Sequence, residues 1–68
     1  MRPFHEYSHV HIKGKNVTGD IIDVFTGQNG ITYYTVESDA EGPIEDPDAW
    51  NAPRFPQFFC TADQLEFA

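Results

Sequence analysis

The chain has 68 residues, 40% of them hydrophobic and 15% aromatic, with four basic against eleven acidic side chains and a net charge of −7. A chain of this length is one domain with a small core, since it buries only about 60% of the surface that its unfolded form exposes. The charge argues against nucleic acid, because phosphate contact needs Lys and Arg gathered on one face, and Arg2, Lys13, Lys15 and Arg54 are few and scattered.

The single cysteine, Cys60, excludes an internal disulfide framework and a multi-cysteine zinc site. It fits a reducing, cytosolic compartment, where a small buried apolar role is expected of it. No basic segment followed by an apolar run opens the chain, and no apolar stretch reaches membrane length. The expectation is a cytoplasmic protein without membrane association, so that the glycosylation triplet Asn16-Val17-Thr18 is a chance match.

In chain order, residues 1–7 lack a period and read as a loose arm in which Phe4 and Tyr7 can pack. Residues 8–13 alternate, with His9, His11 and Lys13 on one side and Val10 and Ile12 on the other, as in a half-buried strand. Gly14 then turns the chain. Two runs rich in Val, Ile, Thr, Tyr and Phe, about 19–26 and 31–38, flank Gly27-Gln28-Asn29-Gly30, which is a strong hairpin signal. A two-residue Asn29-Gly30 loop would mix charge and hydrocarbon on both faces. A three-residue loop, with Gln28 and Asn29 in a type I turn and Gly30 in the left-handed region, sets Ile22 opposite Val36 and Val24 opposite Tyr34. These four are the predicted core, and the other face pairs Ile21 with Glu37, Asp23 with Thr35, and Phe25 with Tyr33.

Residues 39–56 hold Gly42, Pro43, Pro47, Pro53 and Pro56 among acids and read as a long loop. One helical turn at 48–51 is expected there, with Asp46 as cap and Pro47 at its start. Residues 57–60 form a short strand, Thr61 to Gln64 a capping box that opens a single helical turn, and 65–67 a last strand.

The expected class is all-β. Val10-His11-Ile12, Gly14 and Gly19-Asp20-Ile21-Ile22 resemble the opening of SH3-like small barrels of the KOW type and related bacterial modules. Phe59 to Leu65 is similar to their closing turn, where a buried Leu follows one helical turn. The resemblance implies about five short antiparallel strands, interrupted by one long acidic, proline-rich loop, and the role of an accessory subunit or adaptor. KOW-type modules are usually basic, and with this chain's charge their RNA binding is not carried over.

Several residues could carry function. His9 and His11 share a strand face and could present both imidazoles to one metal, with Glu6 or a loop acid as third ligand. Asp39-Ala40-Glu41 begins like a calcium loop, but Pro43 stands at the next ligand position. Neither Ser8 beside His9 nor Cys60 shows a base and an orienting group, so no enzyme activity and no cofactor are expected. Phe25 and Tyr33, with Ile21 beside them, would form an apolar outer patch that either Trp50 and Phe55 cover or a partner meets.

The first expectation is therefore a protein-binding module that uses Phe25, Tyr33, Trp50 and Phe55, with the acidic loop selecting a basic partner protein. A homodimer through a sheet edge is a further possibility. The alternatives are an acidic decoy for a nucleic-acid site, as in some phage inhibitors, and a metal module on His9 and His11.

Overall fold

A computed structural model describes residues 4–51 and 54–68. Five strands, β1 (His9–Ile12), β2 (Val17–Thr26), β3 (Thr32–Ser38), β4 (Gln57–Cys60) and β5 (Leu65–Phe67), form one antiparallel sheet in the order β4-β3-β2-β1-β5. A 3₁₀ turn at Ala62–Gln64 is the one helical element among the described residues, so the protein is all-β as expected. Residues 1–3, part of the expected arm, and Pro53 lie outside the described residues.

The sheet has to curl. β4 and β5 are its two edges, about 19 Å apart if five strands lay flat. Only four residues lie between Cys60 and Leu65, five Cα steps with a reach of about 17 Å at full extension. The 3₁₀ turn between them shortens that reach. Both edges therefore meet over one core, built from Val10, Ile12, Val17, Ile21, Tyr34, Val36, Phe58, Cys60 and Leu65. Phe4 closes one end, edge-on to Tyr34 at 5.8 Å and against Phe67 at 4.8 Å.

Residues before β1 are less loose than the sequence suggested. The amide of Tyr7 donates to the Ile21 carbonyl at 2.7 Å, and the Ile21 amide donates to the Ser8 carbonyl at 3.0 Å. Tyr7 itself does not pack; its side chain stands in solvent.

The hairpin turns as predicted. Gly30 has φ +81°, and its amide donates to the Gly27 carbonyl at 3.0 Å, so the left-handed residue that a three-residue loop needs falls on glycine. Val24 faces Tyr34, Asp23 faces Thr35 and Phe25 faces Tyr33, also as predicted. Beyond Asp23 the expectation fails. A bulge makes Ile22 the extra residue, so that Ile21, not Ile22, sits opposite Val36. Ile21 is fully buried and Ile22 is 36% exposed, which corrects the predicted core. The bulge changes the phase of the strand, letting Val17, Ile21 and Val24 all serve the inside of a bent sheet.

The connection from β3 to β4 also differs in one part. Asp46 caps as predicted, accepting the Asp48 amide on its carboxylate at 2.9 Å and the Ala49 amide on its carbonyl at 3.0 Å. The result is a β-turn and not the expected helical turn, because Trp50 then extends and pairs with Gln57 through two backbone bonds of 2.8 Å. The closing turn is as read: Gln64 Oε1 accepts the Thr61 amide at 3.0 Å, and the Gln64 amide donates to the Thr61 carbonyl at 3.0 Å. Among the described residues no helix is long and apolar enough to cross a membrane.

Candidate functional site

The outer face of the sheet carries the candidate site, and strand parity builds it. Phe58 and Cys60 point inward, so Gln57 and Phe59 point outward. Residues paired across strands share a face, which places Thr35 and Glu37 outward on β3, Asp23 outward on β2, and Trp50 outward beside Gln57. Four aromatics then run obliquely across the sheet. Phe25 stacks on Tyr33 at 5.4 Å with the rings 25° apart. Phe59, opposite Thr35, is one diagonal step from Tyr33, and Trp50, opposite Gln57, is one diagonal step from Phe59. Each such step spans about 7–8 Å, within reach of aromatic side chains.

This stripe is open to solvent. Trp50 is 62% exposed, Phe59 57% and Phe25 45%, so the loop does not fold Trp50 back as a cover for the hairpin. Trp50 stays at the β4 edge because its backbone is tied to Gln57 there. Phe55 is half-buried, with the Arg54 guanidinium over its ring at 5.4 Å. Phe59 is the member that reading the residues missed as a contact group. Its signal was the alternation in Gln57–Cys60: once Cys60 is inside, Phe59 must be outside.

Carboxylates flank the aromatics. Asp23 and Glu37 lie on the same face, and no cation pairs with either among the described residues. The cations near the loop are already engaged. Lys15 Nζ meets Asp46 at 2.7 Å and Asp48 at 3.2 Å, which raises the Lys15 pKa and lowers that of Asp46, and Arg54 meets Glu41 at 3.0 Å.

Comparison with protein-family models, curated proteins and solved structures found no match. The site therefore has to be read from its own chemistry.

His9 and His11 share a face as predicted but answer to different partners. His11 Nδ1 meets Glu66 at 2.7 Å, and Nε2 meets the Lys15 carbonyl at 2.7 Å. Both acceptors need a proton from the ring, so this geometry favours imidazolium and raises the His11 pKa, chiefly through Glu66. It leaves no nitrogen of His11 for a metal shared with His9. His9 Nδ1 meets Asp20 at 2.8 Å, which together with Asp39 raises its pKa.

A consequence for stability follows from His11. A folded pKa above the ordinary value of 6.5 gives a contribution fully present below the unfolded pKa and lost as pH rises through the folded one. Melting temperature is expected to fall as pH rises from the ordinary histidine value of 6.5 through the higher folded one. His11→Gln should flatten that slope; an unchanged slope in this variant sinks the assignment.

A cavity of about 340 Å³ opens beside the stripe, lined by Ile12, Lys13, Phe58, Phe59 and Cys60 among others. Burial pushes the Cys60 thiol up to about 11, so at neutral pH it stays protonated and is a poor nucleophile.

Proposed function

We propose that the protein is a small non-catalytic binding module of the cytosol, an SH3-like barrel that presents Trp50, Phe59, Tyr33 and Phe25 to a basic surface of a protein partner. The strand order and the 3₁₀ turn before the last strand support the barrel type. The observation that carries the function is the oblique stripe of aromatics which the chain's own long loop leaves uncovered. Large aromatics at the centre of an interface supply most of its affinity with little loss of side-chain entropy. Asp23 and Glu37 beside the stripe, in a chain of net charge −7, favour a cationic partner and repel an acidic one.

An array of peptides tiled across the host's proteins tests this reading. Cationic segments with apolar residues should bind, and Trp50→Ala or Phe59→Ala should each weaken binding by a factor of about 30, the scale of an interface hot spot. Melting of both variants should match the parent, since the two rings are exposed. Raising salt should weaken the complex only a few-fold. Steep release by salt, together with indifference to both aromatic substitutions, would instead mark an acidic decoy and overturn the stripe as the contact surface.

A further inference from the structure

His9, Asp20 and Asp39 bring one ring nitrogen and two carboxylates within 4.8 Å of one another, at the opposite end from Trp50 of the cross-strand row His9, Asp20, Glu37, Gln57, Trp50 on the outer face. Register alone creates the group. His9 of β1 lies opposite Asp20 of β2, and Asp39 follows β3, held to β2 by its amide on the Thr18 carbonyl at 3.0 Å and by the Thr18 hydroxyl on its Oδ2 at 2.9 Å.

The two ring nitrogens of His9 are not equivalent. Nδ1 is 2.8 Å from Asp20 Oδ1, a good hydrogen bond in which the ring donates. Nε2 is 3.4 Å from Asp39 Oδ2, too long for a good N–H···O bond. With Nδ1 protonated, neutral imidazole turns the Nε2 lone pair toward a carboxylate oxygen, and two acceptors at that distance need a cation or a second ring proton between them. The spacing fits a metal: two ligands bonded at about 2.05 Å to a tetrahedral zinc ion lie about 3.3 Å apart. The Asp20 bond is the carboxylate–histidine contact that fixes tautomer and ring orientation in metal sites. Asp20 also faces Glu37 directly across β2 and β3, a like-charged pair that a divalent cation nearby would relieve.

We propose that His9 Nε2 and Asp39 Oδ2 bind a divalent transition cation of the zinc class, with Asp20 orienting the imidazole and solvent filling the remaining positions. Imidazole with carboxylate is a donor set that suits zinc, nickel and copper. The site is shallow and exposed, so modest affinity is expected. Nothing in it depends on the partner-binding reading: His9, Asp20 and Asp39 take no part in that surface, and Glu37, opposite Asp20, is the one side chain that adjoins both.

Zinc chloride titrated into the full chain near neutral pH, with the histidine ring nitrogens followed by NMR, decides the matter. Saturable movement of the His9 Nε2 signal is expected, with the His11 signals still. His9→Gln and Asp39→Asn should each abolish saturation, Asp20→Asn should weaken binding by about 10–100-fold, and His11→Gln should change it less than about twofold, within the scatter of exposed substitutions. Absence of saturation at millimolar zinc overturns the proposal and assigns a proton to the gap. So does saturation that survives His9→Gln.

Discussion

Phe58→Ala is expected to unfold the protein at room temperature, while Phe59→Ala, one position along the same strand, melts like the parent. Phe58 is 1% exposed and belongs to the single core cluster that also holds Cys60 of its own strand and Leu65 of the other edge. Removing a buried Phe costs about 3–5 kcal/mol through lost transfer energy and the cavity left behind. In a chain below about 70–80 residues a single core rarely supplies more than about 3–5 kcal/mol of net stability, so the loss consumes most or all of it. Lys15 Nζ lies 5.9 Å from the ring centroid, so the cation also loses an apolar neighbour. Phe59 gives up little by truncation because more than half of it already meets water. Urea denaturation of the two variants checks the contrast, and equal destabilisation would mean that the inside and outside of β4 have been exchanged.

Gly19→Ala should be nearly as damaging by a different route. A Cβ built at Gly19 meets the Glu37 carbonyl oxygen at 2.1 Å and its carbon at 2.8 Å, both backbone atoms that no rotamer change can remove. Strands β2 and β3 must part locally, which costs about 3 kcal/mol, at the upper end of overpacking effects. Native-state hydrogen exchange localises the damage: the Asp39 amide, bonded to the Thr18 carbonyl, should lose protection before the core of the hairpin does. Gly30→Ala is the comparison. Nothing lies within 4 Å of its Cβ, so only the positive φ is strained, and a cost of about 1 kcal/mol is expected. If Gly30→Ala proves the worse of the two, the close approach at Gly19 is misplaced.

These effects mark where local pattern stops being informative. The loop at Gln28-Asn29-Gly30 was legible because its chemistry is local: Asn-Gly demands a left-handed residue, and only one loop length kept hydrocarbon on one side. Val10 with Ile12 in β1, and the Thr61 to Gln64 turn, were legible for the same reason. The Ile21-Ile22 pair was not. Either isoleucine could serve the core, and the choice belongs to a bulge that exists only because β2 must bend between two sets of neighbours. Of the candidate site, Phe25 stacked on Tyr33 followed from register near the turn. Phe59 and Trp50 joined them only through pairing of β4 with β3 on one side and with residue 50 on the other.

The metal candidate divides in the same way. His9 was visible as an outward side chain on an alternating strand, but its neighbours Asp20 and Asp39 are distant in sequence, and His11, its apparent companion, is claimed by Glu66 and the Lys15 carbonyl. The sequence by itself determined the all-β class, the hairpin loop, the strand faces away from the bulge and the acidic surface, since each depends on propensity, parity or a charge count. Tertiary structure alone decided which isoleucine is buried, where Trp50 stands and which side chains meet on the outer face. Those depend on contacts between strands far apart in the chain, and free energy shared across the sheet selects them over what any one segment prefers.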